Sequence, residues 1–110
     1  PGRQLMTVTK TRHITGEREK GVFFAEVMIP NKKGLHARAS AQFVRRAGEF
    51  NANVRVSREG HTVGGTSIMG LMMLAASPGC SVHVTAAGAQ AHEVLAALEA
   101  LVANRFGEEM

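Results

Sequence analysis

The sequence predicts an α+β fold in which helices cover one face of a β-sheet. Two observations support this prediction. Strand-like alternation and helical periodicity follow each other along the chain in the order β-α-β-β-α-β-α. The two central strands are joined by Glu59-Gly60, a dipeptide typical of a tight hairpin turn. The pattern also fits a ferredoxin-like fold with one additional helix, and this alternative stays open at the sequence level.

The first three elements end at turn or cap residues. An apolar run over residues 22–29 predicts a strand that stops at Pro30. Helical spacing predicts a helix over residues 37–48, and alternation over residues 53–57 predicts a half-buried strand. The residues that carry the helical spacing are Ala39, Phe43, Ala47 and Phe50.

The second half of the chain continues in the same way. Residues 61–63 complete the hairpin, and a short helix follows over residues 68–75, with Ser67 as its N-cap. Residues 77–79 stop this helix, and residues 81–85 alternate as a strand. The last helix starts at Ala91 and ends near Arg105 and Gly107. Its apolar face consists of Ala91, Val94, Leu95, Leu98, Leu101 and Val102.

Residues 1–20 differ from the rest of the chain because they lack sustained apolar periodicity. We expect a basic N-terminal extension over residues 1–20 and one domain over residues 21–110. Two interpretations of the extension stay open. It is either mobile or a strand or arm that docks on the domain, with Met6, Val8 and Ile14 as its limited apolar surface.

The formal net charge of +4 belongs mostly to this extension. Residues 1–20 contain five Lys or Arg against two Glu, whereas residues 21–110 contain eight against seven. The domain is therefore nearly neutral, and it has no Trp or Tyr that could stack on bases. We expect no nucleic-acid partner.

Composition also bears on location and on cofactors. No apolar run approaches the roughly 20 residues that span a bilayer, and no secretory signal is recognisable. The single cysteine, Cys80, is expected to be a reduced structural thiol. The chain has no Asp, and none of its histidines has metal-ligand spacing. The sequence therefore predicts a cytoplasmic protein without a membrane partner, a metal or a cofactor.

The segment from Gly34 to Arg38 is the strongest candidate site. His36 follows a glycine-containing turn and stands where a helix is predicted to begin. The first N–H groups of a helix lack intrahelical partners and attract anions, and a nearby guanidinium can bind two anion oxygens. The spacing therefore predicts a phosphorylatable His36 assisted by Arg38. The alternative is a histidine that merely occupies the loop.

Two segments together resemble the HPr family, the histidine phosphocarriers of the phosphoenolpyruvate-dependent phosphotransferase system. Residues 31–40 (NKKGLHARAS) resemble the active-site loop of that family, and residues 65–72 (GTSIMGLM) resemble its regulatory-serine helix. The resemblance covers roughly residues 21–106. It implies an open-faced β-sandwich, with a four-stranded antiparallel sheet and three helices on one face.

The resemblance also implies roles for individual residues. His36 would be the phosphoacceptor, and Arg38 would contact the phosphoryl group together with the helix start at Ala37 and Ala39. Ser67 would be the target of a regulatory kinase. The implied partners are an enzyme I-type donor charged by phosphoenolpyruvate (PEP), an enzyme IIA-type acceptor and an HPr kinase/phosphorylase. The protein is expected to be a monomer.

One position departs from the common sugar-transport form of the family, which has proline where this chain has Ala39. Proline fits the first turn of a helix because it pre-sets φ and lacks an N–H that has no intrahelical partner there. Alanine keeps that N–H, so the chemistry at His36 should persist. The sequence Ala37-Arg38-Ala39-Ser40 is similar to the corresponding segment in the nitrogen-type branch of the system.

Three residues of the short helix are candidates for contact with partners. Ile68, Met69 and Met72 form what we call the docking patch, because flexible thioethers adapt to different partner surfaces. Arg45 on the first helix is expected to flank the patch and steer acidic partners. The alternatives are that the methionines only fill the core and that Arg45 is an ordinary solvated side chain.

These observations predict a histidine phosphocarrier that accepts a phosphoryl group on His36 and passes it to an acceptor protein. It would be a substrate of its partners and not an enzyme with turnover of its own. Ser67 has a second interpretation as a simple N-cap. The alternative function is a regulatory binding module whose partner choice depends on the phosphorylation of Ser67.

Overall fold

The computed structural model describes residues 14–19, 21–30, 34–75 and 79–107. The predicted turn residues Ser77 and Pro78 and most of the segment 1–20 lie outside these ranges. No helix of the described part is long and apolar enough to cross a membrane.

The described residues form five strands and three α-helices. The strands are β1 (Ile14–Glu19), β2 (Val22–Met28), β3 (Asn53–Arg58), β4 (His61–Gly64) and β5 (Ser81–Ala87). The helices are α1 (Ala37–Gly48), α2 (Ile68–Leu74) and α3 (Ala91–Ala103), followed by a 3₁₀ turn at Arg105–Gly107.

The sheet has the strand order β1-β2-β5-β3-β4, and each neighbouring pair is antiparallel. The four strands predicted from the sequence occupy β2-β5-β3-β4, which confirms the α+β fold with an open antiparallel sheet. A ferredoxin-like sheet would place its first strand between the third and fourth. Here β2, the first of the predicted strands, has β5 on one side and β1 on the other.

The fifth strand, β1, comes from the segment that the sequence analysis treated as an extension. It pairs with β2 from Ile14 opposite Ala25 to Glu19 opposite Val22, with two irregularities in the register. Of the two interpretations of the N-terminal extension, the docked strand describes residues 14–19.

The three helices cover one face of the sheet. Alternate strand residues on that face are almost completely buried, and the helices pack onto them. On the opposite face, Glu26 and Met28 are exposed, and Glu26 pairs with His83. The buried strand residues are Ala25, Val27, Val54, Val56, Val82, Val84 and Ala86. This alternation follows directly from the two-residue period of a strand.

Helix α1 begins and ends at the predicted residues, Ala37 and Gly48. Its buried residues include Ala39, Phe43 and Ala47, which are three of the four that carried the helical spacing. The hairpin turn is also confirmed. Both Glu59 (φ 52°) and Gly60 (φ 86°) adopt positive φ, the geometry of a type I′ turn.

Candidate functional site

His36 is the N-cap of helix α1. Its backbone is extended (φ −79°, ψ −174°), and its Nδ1 accepts a hydrogen bond from the backbone N–H of Arg38 at 3.3 Å. A backbone N–H can only donate, so Nδ1 carries the lone pair in this geometry and the neutral ring has its proton on Nε2. Nδ1 of His36 therefore points at the start of the helix.

The helix start provides an anion-binding environment around this nitrogen. The first i to i−4 bond of α1 runs from the N–H of Ser40 to the carbonyl of His36, at 2.8 Å. The N–H groups of Ala37, Arg38 and Ala39 precede it and have no intrahelical acceptor. No acidic residue lies in the first turn of α1. A negative group placed here meets the positive end of the helix without competition from a carboxylate in that turn.

Leu35 fixes the position of His36. Its side chain is fully buried, its N–H donates to the carbonyl of Ala75 at 2.8 Å, and its carbonyl accepts from Oγ of Ser40 at 3.1 Å. Gly34, just before it, has φ 64°, a left-handed conformation that glycine adopts without strain. The loop is thereby attached to the end of α2 and to the first turn of α1.

Sequence reasoning named His36 and Arg38 but assigned no role to Leu35, Ser40 or Ala75. The contact of Leu35 with Ala75 joins residues 40 positions apart and has no local sequence signal. Ser40 was visible as a polar residue next to the apolar stripe of α1. Ser40 is completely buried in the structure, which indicates a structural role.

Arg38 is exposed, in the second position of α1. The structure places its backbone N–H at Nδ1 of His36, as described above. The ordinary flexibility of an exposed arginine leaves its guanidinium able to reach a group bound at the helix start.

Ser67 is the N-cap of helix α2, as predicted. Its Oγ accepts from the N–H of Gly70 at 3.0 Å, and the residue is exposed. Gly70 packs closely here, since a Cβ at that position would lie 2.9 Å from Oγ of Ser67 and 3.0 Å from Cβ of Val63. Helix α2 has seven residues and is therefore about 10 Å long. Ser67 lies at one end of it, and Ala75, which contacts the His36 loop, follows the other end.

The docking patch is largely exposed. Met69 exposes 72% of its surface and Ile68 exposes 41%, whereas Met72 is half-buried. Met73, on the same helix, exposes 81% and extends the apolar surface. The alternative in which the methionines only fill the core is therefore wrong for Met69 and Met73.

Arg45 lies near Leu101 of α3. It is exposed and borders a shallow depression that is also lined by Gln42 and by Leu101 of α3. Helix α1 packs against both α2 and α3. Its neighbour Arg46 pairs with Glu49 and lies 5.2 Å from the ring centre of Phe50.

Within the described ranges, no group of three or more His, Cys, Asp or Glu residues is arranged to hold a metal ion. Cys80 is half-buried and a free thiol.

Known proteins share this arrangement of sequence and fold. Residues 24–104 match the PTS-HPr family, described as the PTS HPr component phosphorylation site. The chain is similar to the phosphocarrier protein HPr of Cupriavidus necator, at 51% identity over 83 residues, which are 76% of this chain and 93% of that protein. It is also similar to HPr of Pseudomonas aeruginosa, at 50% identity over 84 residues, 76% of this chain and 93% of that protein.

A solved structure agrees with these sequence matches. An HPr from Thermoanaerobacter tengcongensis superposes with a TM-score of 0.75 at 39% identity, covering 79% of this chain and 98% of that chain. The family match begins at residue 24, so strand β1 precedes it.

Proposed function

The chain belongs to the HPr family of phosphocarrier proteins of the phosphotransferase system, and we propose that Nδ1 of His36 is the atom that carries the phosphoryl group. The hydrogen bond from the Arg38 N–H to Nδ1 supports this choice. It shows that the lone pair of this nitrogen faces the helix start, where a bound phosphoryl group is best stabilised. As a phosphocarrier, the protein holds the group between two partners and is not itself an enzyme.

The transfer step is a simple displacement. The Nδ1 lone pair attacks phosphorus, an N–P bond forms, and the bond from phosphorus to the donor breaks with its electron pair left on the donor. The attacking ring is the neutral form, whose Nδ1 already has a free electron pair for the new bond, so the step needs no dedicated base. The same step in reverse direction, with an acceptor nucleophile, discharges the carrier.

The helix start then stabilises the product. After transfer, Nδ1 no longer accepts from Arg38, and that N–H becomes available to a phosphoryl oxygen together with those of Ala37 and Ala39. An anion at a helix start gains about 0.3–1 kcal/mol when exposed. The Arg38 guanidinium adds a charge-assisted hydrogen bond. This modest stabilisation suits a carrier, because the group must leave again.

We propose an enzyme I-type protein charged by PEP as donor and an enzyme IIA-type protein as acceptor. The docking patch on α2 supports this, because exposed methionine and isoleucine side chains adapt to more than one partner. The contact of Leu35 with Ala75 joins the C-terminal end of α2, the helix that carries the patch, to the loop of the reacting residue. Arg45 lies toward α3, and its steering role stays a prediction for the outer edge of the interface.

Ser67 is proposed as a regulatory site for an HPr kinase/phosphorylase. Its hydroxyl is exposed and lies next to Ile68 and Met69. A phosphoserine there carries between about −1.5 and −2 charges at neutral pH, so it would hinder the docking of a partner without unfolding α2. The nitrogen-type branch, a cytoplasmic location and a monomeric state remain predictions.

Incubation with PEP and a donor enzyme tests the proposal. Wild-type protein should acquire an acid-labile mark on His36, located by mass spectrometry, and His36→Ala should acquire none while keeping its circular dichroism. His61→Gln, at an exposed histidine of β4, serves as the control and should be labelled like wild type. Labelling of His36→Ala would refute the assignment.

The regulatory-module alternative gives a different result. In that case PEP and donor leave the protein unlabelled, while ATP and a kinase produce an acid-stable mark on Ser67. Wild-type labelling at His36 together with loss of labelling in His36→Ala decides between the two functions.

A further inference from the structure

The C-terminal end of helix α2 receives a hydrogen bond from a side chain of the β3–β4 hairpin. The last carbonyls of an α-helix have no intrahelical donor and need partners from elsewhere. Nη1 of Arg58, the last residue of β3, donates to the carbonyl of Leu74 at 3.1 Å. The next carbonyl, that of Ala75, accepts from the N–H of Leu35 at 2.8 Å. Two consecutive carbonyls therefore connect this end of α2 to the hairpin and to the loop of His36.

Arg58 also brings to this helix end a positive charge that its last turn does not contain. No basic residue lies in the last turn of α2. The C-terminal end of a helix carries partial negative charge, and an arginine near it can donate to the last carbonyls. Arg58 does so from 16 positions before Leu74 along the chain. The cap is therefore a tertiary contact and not a property of the helix sequence.

The guanidinium of Arg58 is held by its surroundings. Its side chain is 31% exposed, and its Nη2 lies 3.7 Å from the carboxylate of Glu59. The backbone of Arg58 pairs with His61 across the hairpin. Leu74 and Ala75, at the end that the guanidinium holds, are both buried. A charged donor in such a partly buried position makes a stronger hydrogen bond than a neutral one.

The position of His36 depends on this end of α2. The Ala75 carbonyl attaches the loop of His36 to the helix, and it directly follows the carbonyl that Arg58 holds. A movement of the helix end would carry the Ala75 carbonyl with it and turn Nδ1 of His36 relative to the start of α1. A misplacement of about 1 Å at a reacting group can cost ~100-fold in rate.

We propose that Arg58 is a positioning residue for phosphoryl transfer at His36. By holding the Leu74 carbonyl, it keeps the Ala75 carbonyl in place as the acceptor for the loop. Arg58 acts through these backbone groups and is not a catalytic residue. The proposal rests on the role of His36 as the phosphoacceptor.

A competing role for Arg58 is direct contact with a partner protein. It lines a groove of about 460 Å³ between α2 and the hairpin, together with the exposed Met73 and His61. In that role, its loss would weaken docking and leave the loop as firmly attached as before. The two roles therefore differ in what happens to the N–H of Leu35.

Amide hydrogen exchange of the protein without partners separates the two roles. Arg58→Met keeps an unbranched apolar stem and removes the donor. Its Leu35 N–H should exchange roughly tenfold faster than in wild type, relative to the amides of the central strand β5, which report global unfolding. Arg58→Lys keeps the charge and a donor and should stay closer to wild type. Arg55→Met, at an exposed arginine of the same strand, is the matched control and should change nothing.

Phosphorylation by PEP and the donor enzyme measures the consequence for transfer. Arg58→Met should lower the rate at saturating donor roughly fivefold or more, with a smaller change in the half-saturating donor concentration. Slower transfer with unchanged exchange at Leu35 would overturn the proposal in favour of a partner contact. Faster exchange with unchanged transfer would overturn it in favour of a cap without a role in transfer. Absence of label in the wild-type protein would instead refute the phosphoacceptor role of His36, and the exchange results would then decide separately whether Arg58 holds the loop.

A measurement on the wild-type protein needs no substitution. By NMR, rotation about the Nε–Cζ bond of Arg58 should be roughly tenfold slower than that of Arg55, because a hydrogen-bonded guanidinium has to break its bond to turn. Equal rotation rates would contradict the bond to Leu74, whatever the variants show.

Discussion

At the scale of single residues, the site depends on which backbone N–H groups already have a hydrogen-bond acceptor within the protein. Ser40 donates hydrogen bonds from its N–H to the carbonyl of His36 and from its hydroxyl to the carbonyl of Leu35. These two bonds join the first turn of α1 to the loop before it. Of the three N–H groups ahead of Ser40, those of Ala37 and Ala39 have no intrahelical acceptor, and that of Arg38 donates to Nδ1 of His36. Ala39 supplies one of them, and a proline in its place would not.

Ala39→Pro tests the contribution of that N–H. Proline is tolerated in the first turn of a helix, so the fold should persist, but phospho-His36 loses one donor. We expect its half-life at neutral pH to fall about two- to fivefold, the equivalent of ~0.5–1 kcal/mol. The measurement is the decay of the acid-labile label.

Ala39→Gly is the matched control, because it keeps the N–H. It should lower stability through its effect on the helix but leave the half-life of the phosphohistidine near that of wild type. Equal half-lives for the proline and glycine variants would show that the Ala39 N–H does not contact the phosphoryl group.

At the scale of elements, helix α2 has both a buried apolar side and an exposed apolar side. A seven-residue helix rarely needs the exposed apolar side for packing alone. Leu71 and Leu74 are buried and hold it to the core, whereas Met69 and Met73 are exposed. Its cap at Ser67 closes one end of the helix, and the bond at Ala75 joins the other end to the loop of His36. A charge placed on the exposed face should therefore affect partners more than stability.

Met69→Glu is expected to slow phosphoryl transfer from the donor at least tenfold, because it puts an unpaired charge into an apolar interface. The free energy of unfolding should change by no more than about 0.5 kcal/mol, as for other exposed positions. Transfer is measured by rapid quenching and stability by urea unfolding.

Met28→Glu provides the comparison, since Met28 exposes 55% of its surface but lies on the sheet face that the helices leave open. It should transfer at the wild-type rate. Unchanged transfer in Met69→Glu, or equal slowing in both variants, would argue against a docking role for α2.

At the scale of the whole molecule, the chain closes its core with residues from both ends. Strand β1 covers the edge of β2, and the 3₁₀ turn after α3 places Phe106 in the core with 1% exposure. Phe106 adopts φ 56°, uncommon for a bulky residue, and the turn contacts both α1 and α3. The packing of its ring outweighs the cost of this conformation.

Phe106→Ala should destabilise the protein by about 3–5 kcal/mol, because it removes a large buried ring that holds the last turn to α1 and α3. Phe50→Ala, at a half-buried ring two residues after α1, should cost clearly less. Thermal or urea unfolding measures both. Equal losses would mean that the last turn is not part of the cooperative unit.

The sequence alone determined the features that depend on neighbours along the chain. The spacing of apolar residues predicted α1 with both of its ends, Glu59-Gly60 predicted the hairpin, and Ser67 was recognised as a cap. The short segment around His36 indicated the candidate site, because helix starts and anion binding are local properties.

Only the tertiary structure decided the features that join distant residues. Strand order, the addition of β1, the contact of Leu35 with Ala75 and the bond of Arg58 to Leu74 all depend on which surfaces meet after folding. The residue types at these positions could pack against several different parts of the chain. Only burial in the folded structure determines which part each of them contacts. The short sequence motif identifies His36 as the candidate residue. The packing of the whole chain orients its Nδ1 toward the start of helix α1.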